Sequence, residues 1–186
     1  MATVNTARLW RGGAAPTREL AASDIAEAGH LVALQRKVAA VLRAFTPLAP
    51  IQMQNLPGAI TYEDAATIRR DVERSLATAG ISLVVGIRSG ARRSDAPHAC
   101  HLAPVTFTVS IGEGTAANRS ARGSGITCTR AAELVILALS GLPLANGVCA
   151  FAGFTSFGTD EDGLQTAVLA FETDITLSLP EAYTTP

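Results

Sequence analysis

The sequence predicts an α+β domain, a mostly antiparallel mixed sheet with helices packed on one face, joined to an N-terminal arm and an extra helix. Three observations predict it. From Gln165 to Leu179 the residues Ala167, Leu169, Phe171, Ile175, Leu177 and Leu179 alternate with Thr166, Glu172, Asp174, Thr176 and Ser178, the period-two pattern of a strand with one wet face. Leu31, Leu34, Val38, Val41, Leu42 and Phe45 recur at helical spacing, with Arg36, Lys37 and Arg43 mostly off that stripe. The order helix, helix, strand, strand, helix, strand, strand, with two hairpins, places helices over one face of an antiparallel sheet.

Residues 1–23 form the predicted arm, because Arg8, Trp10, Arg11, paired glycines and Pro16 show no sustained periodicity. Trp10, the single tryptophan, is an anchor candidate for a neighbouring subunit. Residues 24–186 make one domain. Its first helix starts at Asp24 and stops before Pro47 and Pro50. Thr61 is the expected cap of a second helix running to Ala79, with Glu63 and Asp64 in its first turn and Gly80 ending it. Ile81 to Ile87 reads as a short strand. Arg88 to His101 reads as a loop, and Pro104 to Ile111 as a strand that alternates Val105, Phe107, Val109 and Ile111 with Thr106, Thr108 and Ser110.

Gly112 to Gly125 reads as a second polar loop. Thr127 or Thr129 opens a third helix, which Gly141 and Pro143 close. Val148 to Phe157 is a weaker strand, and Thr159 to Gly163 is the tip of a hairpin leading into the final strand. A continuous strand from Gln165 to Leu179 would span about 50 Å, well beyond the usual strand of a small domain. Such an element bends, bulges or outgrows its own core.

Composition narrows the function. A chain of 186 residues can bury roughly 70% of the surface it exposes when unfolded. Fifteen basic and sixteen acidic residues give a net charge of −1, which removes the broad electrostatic drive of a nucleic-acid binder, so no sequence-specific nucleic acid is expected. Charged residues are only 17% of the chain, which suits a subunit that hides surface in contacts. Cys100, Cys128 and Cys149 are odd in number and widely spaced; all three are read as buried thiols in a reducing compartment. Met1-Ala2-Thr3 opens without a secretion-signal pattern, and Ala131 to Leu144 is too short and interrupted to span a bilayer, so a cytosolic protein without a membrane partner is expected.

No constellation makes a convincing catalytic or cofactor site. His98-Ala99-Cys100-His101 offers three metal-ligand side chains but lacks a fourth at suitable spacing, and so reads as a polar loop. Cys100 beside its own neighbouring histidines lacks the geometry of a nucleophile, base and orienter. Gly112-Glu113-Gly114 and Gly123-Ser124-Gly125 precede a helix, yet no Gly-Lys-Ser/Thr follows and the spacing matches neither phosphate fingerprint. Glu172 and Asp174 share a strand face about 7 Å apart, which is ordinary for a solvated strand. Catalytic residues, metal and cofactor are therefore all expected to be none. The basic groups Arg88, Arg92, Arg93 and Arg119, Arg122 contrast with the acidic tip Asp160, Glu161 and Asp162. Read plainly they are solvated loop charge; read as an interface they let adjacent copies meet head to tail and close a ring.

The stretch PVTFTVSIGEGTAANRSARGSGITCTRAAELVILALSGLPL, followed by GVCAFAGFTSFGTDEDGLQTAVLAFETDITL, resembles tail terminator proteins of tailed phages, the lambda-type minor tail proteins included. The shared features are an alternating strand ending in Ile-x-Glu, an Asn-Arg after a short gap, a Gly-rich loop, a helix ending in Leu-x-Gly, and a closing strand of the form Phe-x-Thr-x-Ile. The resemblance covers about residues 60–179. It implies a structural virion protein, not an enzyme, that forms a ring of commonly six copies on the tail tube protein. Such a ring halts tube polymerisation and meets a head–tail connector or neck protein, with a sheath protein as a further partner left open. It implies location in the tail or neck of a virion, with assembly in the host cytoplasm. By position it assigns Asn118 and Arg119 to a loop facing a neighbour or the tube. The alternatives are another head–tail joining protein, a small cytosolic enzyme using Cys100 or the acidic strand, and a phosphate-binding module using Gly123 to Gly125.

Overall fold

The computed structural model describes residues 9–52, 57–93, 99–160 and 163–178. Its centre is a five-stranded sheet built from β1 (Ile60–Tyr62), β2 (Ile81–Arg92), β3 (Ala99–Gly114), β6 (Ala150–Thr159) and β7 (Leu164–Ser178), in the order β1-β2-β3-β7-β6. Among the described residues only β1 and β2 run parallel; the other pairs of this sheet are antiparallel. A separate two-residue ribbon, β4 (Pro143–Leu144) with β5 (Gly147–Val148), packs against β7. The expected α+β plan, with a mostly antiparallel mixed sheet and helices packed against it, is the plan of the molecule.

The long final strand is one 15-residue element, paired with β3 from Gly114↔Leu164 to Ala99↔Ser178. Its apolar face is the core: Ala167, Leu169, Phe171 and Ile175 are buried beside Phe107, Val109 and Ile111 of β3. Phe107 and Phe171 stack with ring centroids 5.5 Å apart. Thr173 occupies an apolar-face position, and its hydroxyl donates to the Leu144 carbonyl at 3.0 Å, so this polar group is paired where it is buried. The register of β3 shifts between Leu102 and Val105, around Pro104, which has no N–H to give a central ladder.

Two helices close that face, α2 (His30–Ala44) against β1 and β2, and α5 (Cys128–Leu139) against β3 and β7. Leu34, Val38, Val41, Leu42 and Phe45 supply one half of the cover, and Cys128, Ala131, Val135, Ala138 and Leu139 the other. Thr127 caps α5 by accepting from the Arg130 N–H at 3.2 Å. Helix α3 (Ile68–Thr78) lies beside β1, with Leu76 reaching the Gly112 position on the sheet. Ser75 anchors it by donating to the Ile81 carbonyl at 2.5 Å.

Several boundaries differ from the sequence expectation. The single helix expected from Asp24 is two, α1 (Ala22–Ala28) and α2, because Gly29 at φ 81° interrupts the spiral. Thr61 does not cap a helix; Ile60-Thr61-Tyr62 form β1, and the helix starts at Ile68. Burial of Ile60 and Thr61 against β2 overrides the capping signal. The loop expected over Arg88 to His101 is strand at both ends, to Arg92 and from Ala99, since backbone pairing such as Arg92↔Leu102 carries the ladder past the point where its side chains are buried. Gly112 and Gly114 belong to β3, and one helical turn, α4 (Thr115–Asn118), follows. Val148 belongs to the small ribbon rather than to β6. Cys128 and Cys149 are buried as expected, but Cys100 is half-exposed, lying near the ends of β3 and β7 opposite Leu177.

Candidate assembly surface

The loop that carries Arg119 and Arg122 is held by a buried polar knot. The Glu113 carboxylate at the end of β3 accepts from Asn118 Nδ2 at 2.6 Å and from the Cys128 N–H at 2.6 Å, the first residue of α5. Asn118 also donates to the Ile126 carbonyl at 2.9 Å, and its Oδ1 accepts from Ser124 Oγ at 2.7 Å and the Gly125 N–H at 3.0 Å. Both side chains are buried. A carboxylate aimed at a helix N-terminus is favoured by the helix dipole. Gly80 and Gly123 are required here, since a Cβ on either would overlap the Asn118 backbone, and Gly80 has φ 71°. These glycines are packing residues for the knot. Asn118, assigned by resemblance to a contact face, is turned inward; Arg119, Ser120, Ala121 and Arg122 are exposed.

The hairpin tip lies beside this loop. Asp160 shapes it, accepting from the Leu164 N–H at 2.8 Å through Oδ1, and Thr115 Oγ1 donates to the Gly163 carbonyl at 3.4 Å. Glu161 and Asp162 lie outside the described residues, as do His98 and residues 1–8 of the arm. Arg88, Arg92 and Arg93 sit at the far end of the sheet, because Arg92 pairs with Leu102 and Leu102 with Ile175, eleven positions along β7 from Leu164. At strand rise that separation is about 35 Å. The two basic groups are thus toward opposite ends of the sheet, with the loop of Arg119 and Arg122 following the end of β3 that pairs with Leu164. Arg88 is bidentate to Glu63, at 2.6 and 3.0 Å.

Strand β6 is a sheet edge and carries no charged residue and no proline from Ala150 to Thr159. Phe151, Phe154 and Phe157 form a ladder along it, with centroids 5.6 and 6.0 Å apart, starting from Phe151 against Phe171 at 5.4 Å. Phe151 is half-buried, but Phe154 is 59% and Phe157 53% exposed. Edges are normally blunted by charge, proline, a bulge or a covering element; among the described residues this one has no charge, no proline and no strand paired along its free side, though its ladder with β7 is irregular between Phe151 and Gly153 and between Phe154 and Ser156. The sequence predicts only a weak strand here, and the Phe-x-x-Phe-x-x-Phe spacing is its signal for an aromatic surface.

Trp10 lies on its own domain. It bridges Phe45 in the antiparallel sense, with ring centroids 5.2 Å apart, and the Arg11 N–H donates to the Ala44 carbonyl at 2.8 Å. The residues weighed for chemistry stay dispersed. Among the described residues no three His, Cys, Asp or Glu side chains gather to hold a metal. His101 meets Thr176 Oγ1 at 3.1 Å. Burial pushes the Cys128 thiol up to about 11, with the Glu113 charge adding to it, and burial alone pushes Cys149 up to about 12. Among the described residues no helix is long and apolar enough to cross a membrane.

The architecture defines a class, an α+β chain whose long, mostly antiparallel sheet ends, among the described residues, in the unpaired edge strand β6. Its fold is similar to that of a chain in the virion of a native gene transfer agent particle: 77% of this chain matches 94% of that one, with a TM-score of 0.50 and 20% sequence identity. At that identity the likeness is one of fold. No protein-family model matches the sequence, and no curated protein matches it.

Proposed function

We propose that this chain is a structural virion subunit, a tail terminator that associates with copies of itself into a ring, commonly of six, on the tail tube. The observation that carries this reading is the uncharged edge strand β6 with Phe154 and Phe157 exposed, a surface suited to cover by a neighbour. The shared fold with a chain of a gene transfer agent virion supports it, as does the resemblance over residues 60–179.

In this reading the head-to-tail contact joins the Arg88, Arg92 and Arg93 end of one copy to the acidic tip at Asp160 of the next. Arg119 and Arg122 then face the tube, and the opposite face meets a head–tail connector or neck protein. Another head–tail joining role would use the same ring logic. Native mass measurement with negative-stain imaging tests the proposal: a discrete closed oligomer is expected, and a monomer at every concentration, with or without tail tubes, overturns it. Reversing the charge at Asp160 to Asp162 tests the contact itself, and oligomerisation unchanged at low and high salt would remove it.

A further inference from the structure

A cleft enclosing about 420 Å³ lies on the α3 side of the molecule, lined by Arg43, Thr61, Tyr62, Thr67, Arg70, Asp71 and Arg74 among others. Its walls carry three guanidinium groups and one carboxylate. The carboxylate is already engaged, since Asp71 accepts from Thr67 Oγ1 at 2.6 Å and sits 3.8 Å from Arg70 Nε. Arg70 and Arg74 stand at the exposed rim, and Arg43 is half-buried at the back, near the end of α2.

Arg43 is the informative residue. Its Nε and Nη2 donate to the Ile60 carbonyl at 2.9 and 2.5 Å, a neutral acceptor. Among the described residues no ion pair forms at Arg43 and Nη1 has no protein acceptor, so a charged group taken partly out of water lacks a counter-charge within bonding distance. Burial is the main influence on this guanidinium and pulls it below its ordinary range, against smaller opposing pulls from Tyr62 and Asp71. Partly buried cations are retained where something anionic meets them, and a planar guanidinium fork matches the oxygens of a phosphate.

We propose that Arg43, Arg70 and Arg74 form a binding site for a phosphate-sized oxyanion, with Arg43 as the fixed back wall and the two α3 arginines closing over the front. Arg70 and Arg74 lie four residues apart on α3 and so share one helix face, which lets both reach a single anion. The site stands independently of any self-association, because it is complete within one chain.

The test uses the full chain and inorganic phosphate, with sulfate as a second tetrahedral oxyanion and sodium chloride at matched ionic strength as the control. Thermal unfolding and titration calorimetry are expected to show a saturable rise in Tm and a saturable heat with phosphate, beyond the chloride control. R43Q and R74Q should each weaken the apparent affinity about tenfold, the scale of one lost charge-assisted pair. Arg74 is exposed, so R74Q keeps the fold even if R43Q does not. R130Q, on α5 outside the cleft, should leave binding unchanged. Identical Tm in phosphate and chloride, R74Q binding as tightly as the parent, or an equal loss in R130Q would each overturn the site.

Discussion

Asn118 Nδ2 lies 2.6 Å from Glu113 Oε1, and both side chains are buried, so one amide holds a carboxylate that in turn holds the first N–H of α5. Removing the amide leaves a buried charge short of a partner and opens space beside Gly80 and Gly123. Asn118→Ala is therefore expected to cost about 3–5 kcal/mol, the scale for breaking one side of a buried charged network. Urea unfolding followed by circular dichroism measures it. A loss below about 0.5 kcal/mol, the scale of an ordinary surface change, would show that the knot contributes nothing to stability.

Trp10 against Phe45 gives a built-in reporter, because the chain has one tryptophan. In the folded protein its emission should be blue-shifted and partly shielded from acrylamide. Trp10→Ala should cost about 1–2 kcal/mol, combining lost area with an aromatic pair. Phe45→Leu should move the emission to the red while leaving the far-ultraviolet spectrum intact. Emission of a fully hydrated indole in the parent protein would place residues 9–11 away from Phe45.

His30 opens α2 inside a cleft lined also by Glu19, Ile25, Asn146 and Thr176. Burial lowers its pKa below the ordinary value of 6.5. Between the lowered folded value and 6.5 the unfolded chain binds more protons, so this contribution to stability is complete above 6.5 and is lost as pH falls below it. Thermal scans should show the parent losing more stability between pH 7.5 and 5 than His30→Gln does. Parallel losses in the two proteins would remove His30 as the source.

The central strands were legible because β3 and β7 each have one buried and one wetter face: Val105, Phe107, Val109 and Ile111 against Thr106 and Ser110 leave no ambiguity of period. Both ends of α5 were legible for a similar local reason, in Thr127 and Gly141. What was hidden depends on contacts distant in sequence. Thr61 reads as a cap until β2 is beside it, and three residues are too few to show a period. Gly123 reads as part of a polar loop because nothing local reveals that the Asn118 backbone occupies the space a side chain would fill. Arg43, Arg70 and Arg74 each look like the polar face of a helix. Only the packing of α2, β1 and α3 around one cleft brings them together.

Phe154 and Phe157 separate assembly from folding. They are more than half exposed, so replacing them with lysine removes little buried area from the single chain, and charge on an edge strand is a natural defence against pairing. Phe151 remains packed on Phe171 and holds the strand in place. The double variant Phe154→Lys, Phe157→Lys is expected to unfold within about 0.5 kcal/mol of the parent, the usual range for surface changes. It should also fail to form any oligomer the parent forms, as seen by light scattering after size-exclusion chromatography. An oligomer of unchanged mass and salt dependence would move the interface away from β6. A large loss of stability would instead make these rings part of the chain's own core, and the edge would then lose its claim as a contact surface.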